Sequence, residues 1–293
     1  MRIKEDNLRV SGIMTVGVVG LGLIGGSFAK AYSENGEHRV WAYDINPNVM
    51  KDAMEQQVVD GELNRDNISE CDLVLVALYP EATVQYIEKM SPYIGSSTVV
   101  VDCCGVKGYV CERCFPLAEK YGFTYVGGHP MAGRHFSGYD YSTRNMYNGA
   151  SMVLVPRDTG DEALIERVKI LLSPIRFGKF AVCDADYHDR QIAFTSQMAH
   201  VVSNAYVKSP TAKTHDGFSA GSYKDLTRVA WLNEVMWTEL FMANKKHLIE
   251  ELDYFIESLK QYKTAMETDD PDMLRELLAE GKRCKENIDG IGQ

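Results

Sequence analysis

The imidazole best placed for proton chemistry is His129, in Gly127-Gly128-His129-Pro130-Met131-Ala132-Gly133. The apolar run at 123–126 before it predicts a β-strand. The glycines and proline predict that this strand stops and the chain turns sharply. The C-terminal edge of an open α/β sheet is where ligands bind, and imidazole moves protons near neutral pH. Taken alone, a histidine on such a turn more often merely hydrogen-bonds its own turn.

A second chemical signature precedes it. Residues 13–19 are Ile, Met, Thr and Val around one glycine and predict a buried strand. They run into Gly20-Leu21-Gly22-Leu23-Ile24-Gly25-Gly26-Ser27, and residues 28–35 predict a helix. Strand, G-x-G-x-x-G and helix in that order form the dinucleotide fingerprint. Gly20 would make the tight turn and Gly22 would admit a pyrophosphate. Gly25 would let helix and strand pack closely, with the helix N-terminus facing the phosphates together with Leu23 and Ile24. The strand at 39–43 ends in Asp44, about 20 positions past the glycines, where a carboxylate suits a ribose 2′-hydroxyl and repels a 2′-phosphate. The expected cofactor is NAD rather than NADP.

The elements that must position these groups alternate. Helices are predicted at 48–57, 80–90, 107–120 and 161–172, and strands at 73–77, 98–102, 123–126, 150–155 and 176–182. This is the pattern of a doubly wound α/β domain of Rossmann type. From residue 184 only helical spacing is found, at 186–208, from 224–228 onward through 231–263, and at 272–287. A glycine-rich break falls at 217–222. The expected organisation is an NAD-binding domain over 13–183 and an all-α substrate-binding and dimerisation domain over 184–293. The helical part is long and thin for a free-standing core, which predicts pairing with a second copy.

The 293 residues carry 31 basic and 41 acidic side chains, a net charge of −10. That balance argues against nucleic acid or an anionic membrane as the main partner. Seven cysteines, an odd number in a chain this long, predict reduced thiols and a cytoplasmic protein. The polar first eleven residues predict no secretory signal, and the apolar stretch at 16–26 is too short and glycine-rich to span a bilayer.

Other groups admit two roles each. Lys107, in Asp102-Cys103-Cys104-Gly105-Val106-Lys107, follows a strand and could face the cofactor or an anionic substrate, or be a solvated lysine at a helix start. Cys111 and Cys114 form one C-x-x-C, expected on an exposed helix side; a single pair does not predict a metal site. Arg228 could grip a carboxylate through two parallel hydrogen bonds or pair with Asp225 at i,i+3. Ser196 and His200 share a helix face. On local grounds His200, Trp231 and Trp237 suit a core more often than a site.

Together these segments resemble the prephenate/arogenate dehydrogenase family, from about residue 14 to the C-terminus. The resemblance rests on GLGLIGGS at 20–27, DCCGVKG at 102–108, GGHPMAG at 127–133, and KDLTRVA at 224–230 with the Met-Trp ending at Trp237. It implies that NAD takes hydride from the carbinol carbon of prephenate while the ring carboxylate leaves as CO₂. It implies that His129 draws off the hydroxyl proton, that Arg228 binds a substrate carboxylate, and that Ser196, His200 and Trp237 contribute to the substrate site. Trp237 is expected to reach toward the cleft of a partner subunit in a homodimer. Departures from the family pattern are Gly105 where serine is common, Gln197 in place of a histidine, and Arg134-His135 after the HPMAG motif. Arg134 could serve a second carboxylate. Prephenate and arogenate, which differ by keto against ammonium, both stay open. Neither a further regulatory domain nor a mutase extension is expected.

Two rivals remain. A 3-hydroxyacid-type dehydrogenase would carry a K-x-x-x-N continuation at Lys224, but position 228 is Arg. An NAD-sensing module would need the loop and Asp44 but neither His129 nor Arg228.

Overall fold

The computed structural model describes residues 12–133 and 137–290. Eight strands form one sheet: β1 (Thr15–Val19), β2 (Arg39–Tyr43), β3 (Gly61–Glu62), β4 (Leu73–Val76), β5 (Val99–Asp102), β6 (Thr124–Met131), β7 (Ser151–Val155) and β8 (Lys179–Val182). Their order is β3-β2-β1-β4-β5-β6-β7-β8. All neighbours are parallel except β6 and β7. The first six strands follow the doubly wound dinucleotide-binding order, with the switch point between β1 and β4. The very short β3 carries no apolar run and was not predicted.

Alternate strand residues feed two cores. Val16, Val18, Leu73, Leu75, Val99 and Val101 pack on one face with Phe28 and Tyr32 of α1 (Leu23–Tyr32) and with Ile165 and Val168 of α5 (Glu162–Leu171). Val74, Val76 and Val100 pack on the other with Ile87 of α3 (Pro80–Met90) and Val110 and Cys114 of α4 (Gly108–Tyr121). Burial on both faces is why these strands read as continuous apolar runs. α2 (Pro47–Glu55) opens with Asn46 accepting from the Asn48 N–H at 3.0 Å.

The longest departure from expectation is β6. Its strand does not stop at residue 126 but continues through Gly127, Gly128, His129, Pro130 and Met131, so His129 lies on a strand rather than a turn. The extension pairs antiparallel with β7, His129 opposite Val153 and Pro130 opposite Met152. Pairing with β5 ends at Val126, so one edge of the extension is released from the ladder, a place that tolerates proline. The glycines serve close approach, not a turn. A Cβ on Gly128 would come within 2.5 Å of the Asp102 carbonyl oxygen and 2.7 Å of Met152.

Beyond β8 the chain is helical. α6 (Ala185–Ile192) passes through a π-turn (Ala193–Gln197) into α7 (Met198–Tyr206), followed by α8 (Gly221–Thr227) and α9 (Glu234–Ala243). The chain separates into two compact units, one through Asn244 and one from Lys245. The long helix predicted beyond residue 231 is therefore two, α9 and α10 (Lys245–Glu267). Within the second unit α10 packs on α11 (Pro271–Asp289), with the Tyr262 hydroxyl donating to the Leu277 carbonyl at 3.2 Å. Among the described residues no helix is long and apolar enough to cross a membrane. No disulfide joins any of the seven cysteines.

Candidate active site

The glycine loop is built as its spacing predicts. Gly20 has φ +84, and a Cβ on Gly25 would stand 1.9 Å from the Gly20 carbonyl oxygen, so only glycine lets α1 start this close to β1. α1 begins at Leu23, earlier than expected. No side chain caps its first turn, which leaves the leading N–H groups for a ligand. The space where a Gly22 Cβ would project is open. Asp44 at the end of β2 is fixed by the N–H groups of Leu21 (2.7 Å) and Asn46 (2.8 Å). It borders a hollow of about 390 Å³ with Ile45, Pro47, Met50 and Met54. An unblocked helix N-terminus beside a held carboxylate and an apolar hollow fits an adenine dinucleotide.

Gly22, Leu23 and Ile24 also line a larger pocket of about 670 Å³, together with Gly105, His200, Arg228 and Trp237. Residues far apart in sequence thus meet at one cavity of ligand size. Arg228 follows α8 directly and is exposed, and no carboxylate pairs with it among the described residues; the i,i+3 pair with Asp225 is not formed. Trp237 stacks on His200 of its own chain, ring centroids 3.8 Å apart. Ser196 does not line the pocket; its carbonyl oxygen lies 3.0 Å from His200 Nδ1 and so helps fix that ring. Gln197 is buried away from the pocket, its amide donating to the Leu240 carbonyl and its oxygen accepting from Asn244 at 2.9 Å. Arg134 and His135 lie outside the described residues.

His129 is half-buried beside Gly105. A Cβ on Gly105 would sit 3.8 Å from His129 Nε2, so this nitrogen faces the pocket wall that Gly105 forms. Its other nitrogen, Nδ1, lies 2.9 Å from Nε2 of His188, whose Nδ1 lies 2.7 Å from Asp189 Oδ1. Burial above all, with the Lys107 charge adding to it, pushes the His129 imidazole well below its ordinary value, which favours the neutral base. His188 and Asp189 on α6 were not anticipated. They are adjacent residues on a polar helix, and nothing in their spacing marks them.

Lys107 requires a correction. It faces neither cofactor nor solvent: its side chain is fully enclosed, paired with Asp102, and donates to the Gly128 carbonyl at 2.6 Å. Gly128 N–H in turn donates to Asp102 (3.3 Å), as does the Tyr125 hydroxyl (2.6 Å). Where β5 ends and β6 runs on, this ion pair replaces the missing ladder bonds of the residue before His129. Burial opposes the ammonium charge, but Asp102 outweighs it and holds the Lys107 pKa above its ordinary value. Replacing Lys107 by Met leaves a buried carboxylate uncompensated. Chemical denaturation should show a loss of ~3–5 kcal/mol; a change within experimental error would contradict this account.

The C-x-x-C pair is also corrected. Cys111 and Cys114 are buried in the core under α4, not exposed, and burial raises both thiols, Cys111 to about 12. Such thiols are inert packing groups. Cys103 and Cys104, which line the pocket, are likewise raised by burial.

Comparison with known proteins finds relatives over nearly the whole chain. A family model for "Prephenate dehydrogenase, nucleotide-binding domain" matches residues 28–178, and one for "Prephenate dehydrogenase, dimerization domain" matches residues 184–280. The prephenate dehydrogenase of Bacillus subtilis is 28% identical over 94% of this chain and 76% of its own. Two crystal structures superpose over nearly the whole chain. The prephenate dehydrogenase of A. aeolicus, in complex with hydroxyphenyl propionate and NAD⁺, has TM-score 0.81 and 26% identity over 96% of this chain and 100% of that one. The arogenate dehydrogenase of Synechocystis has TM-score 0.80 and 25% identity over 94% and 100%.

Proposed function

The chain belongs to the prephenate dehydrogenase family, and we propose that it converts prephenate to 4-hydroxyphenylpyruvate with NAD, a step toward tyrosine. The observation that carries this is the meeting of the glycine loop, the His129 side of Gly105, and Arg228 around one pocket. Bound NAD supplies the hydride acceptor. The N-terminus of α1 and Gly22 would receive its pyrophosphate, and Asp44 its ribose hydroxyls.

His129 takes the hydroxyl proton of the substrate at Nε2 as the carbinol C–H bond breaks. A neutral imidazole is required, and burial keeps it so. The carbinol becomes a carbonyl, the ring carboxylate leaves as CO₂, and its bonding pair completes the aromatic ring as a phenolate, which takes the proton back from His129 to become the phenol. Arg228 holds a carboxylate of the substrate from the helical side of the pocket, and Trp237 with His200 packs beside it. Arg134 is a second candidate for carboxylate binding.

The working form is a homodimer. Tyr254, Ile256 and Leu259 on α10 and Leu278 on α11 are exposed apolar side chains in the segment matched by the dimerisation model.

The deciding experiment is NADH or NADPH production by the purified protein with prephenate and arogenate offered separately. Turnover of prephenate with NAD is expected; turnover of arogenate alone would transfer the same chemistry to the amino substrate, and no turnover of either would overturn the assignment. A second measurement tests Asp44. Asp44→Ser should weaken NAD binding by roughly tenfold to a hundredfold while NADP binding improves. Equal weakening of both would mean that Asp44 only braces the loop through Leu21.

A further inference from the structure

The hydrogen-bond chain behind His129 determines which of its nitrogens can act. Asp189 accepts the N–H groups of Lys107 (2.7 Å, Oδ1) and Gly108 (2.8 Å, Oδ2), so the carboxylate is clamped across the N-terminus of α4. Asn244 also donates to the Asp189 backbone carbonyl at 2.8 Å, fixing this turn of α6 from a second side. A carboxylate only accepts, so His188 Nδ1 beside it must carry the proton. Neutral His188 then presents a bare Nε2, and His129 Nδ1, 2.9 Å away, must be the donor. The lone pair of His129 is thereby left on Nε2, the nitrogen that faces Gly105.

We infer that His188 and Asp189 are positioning residues that set the tautomer of His129 and stabilise it once it has taken a proton. The inference rests on His129 being the base, as proposed above. The dyad is buried, so water does not compete for these bonds. When Nε2 of His129 gains a proton, the Nδ1–H bond to His188 strengthens, and the His188 Nδ1–H bond to Asp189 strengthens with it. A negative charge two rings away thus favours the imidazolium without touching substrate, the logic of an oriented imidazole.

The charged and titratable groups around His129 are few. His188 and Asp189 come from α6, Lys107 from the head of α4 and Asp102 from the end of β5; His200 and Arg228 line the pocket. Lys107 disfavours a second cation, but its charge is matched by Asp102. Asp189 is therefore the anion on the His188 side that bears on the acid limb of the pH profile.

The test uses the full-length protein with NAD and the substrate it turns over. His188→Phe removes the acceptor and should lower kcat by on the order of a hundredfold, with KM little changed. His188→Gln, whose side-chain oxygen can accept from His129 Nδ1, should recover much of that loss. Asp189→Asn should move the acid limb of kcat to lower pH, because the imidazolium loses its counter-charge. Nitrogen NMR of histidine-labelled wild-type protein, with His129 assigned by its loss in His129→Asn, should show a protonated Nδ1 and an unprotonated Nε2. This measurement needs no folded dyad variant. The reverse tautomer, or His188→Phe with wild-type kcat and acid limb, overturns the inference. If His129→Asn itself turns over normally, the failure lies in the base assignment instead.

Discussion

His129→Asn is expected to lower kcat by on the order of a thousandfold while NAD affinity stays near the wild-type value. General base catalysis contributes roughly a hundredfold to ten-thousandfold, and here the proton comes from an alcohol that does not ionise near neutral pH. Asparagine keeps most of the volume and can still hydrogen-bond, but it cannot accept a proton at this pH. The pH profile of the wild type should carry the same signature. Burial, with the Lys107 charge adding to it, depresses the His129 pKa, and the base acts unprotonated. The acid limb of kcat should therefore lie below the ordinary imidazole value rather than at it. Steady-state kinetics across pH, with cofactor binding measured separately, decide the matter. Normal turnover by the variant would remove His129 from the chemistry.

Arg228→Ala should raise the substrate KM by roughly a hundredfold or more, since each hydrogen bond between charged partners contributes ~1.5–3 kcal/mol. Arg228 lines the pocket with no ion-pair partner among the described residues, so its guanidinium is available to a ligand carboxylate. Arg228→Lys should recover only part of the loss, because an ammonium cannot reproduce the two parallel bonds of the guanidinium fork. The affinity for NAD should not follow. Equal losses for substrate and cofactor would indicate that Arg228 supports the helical wall of the pocket and binds nothing.

The nucleotide half of the molecule was legible in the chain because its code is local. Gly20, Gly22 and Gly25 act on their own turn, Asp44 lies one strand later, and continuous apolar runs announce strands buried on both faces. The His129 segment misled for a physical reason. Glycine signals either a turn or a close approach, and only the neighbours decide. Here Met152, Val101 and the Asp102 carbonyl crowd Gly128, so the strand continues and finds a partner in β7. The same ambiguity hid Lys107, whose place after a strand suggested a ligand until Asp102 and the Gly128 carbonyl enclosed it.

By itself the sequence determined the α/β class, the dinucleotide loop, the helical second half and, through its motifs, His129 and Arg228 as the residues to examine. Only the tertiary structure decided that His129 lies on a strand with His188 and Asp189 behind it, and that Lys107 holds backbone instead of ligand. Two of the contacts that set proton positions along that chain join residues 59 and 82 apart in sequence, and no local pattern encodes hydrogen bonds made only when α6 packs beside the end of β6 and the start of α4.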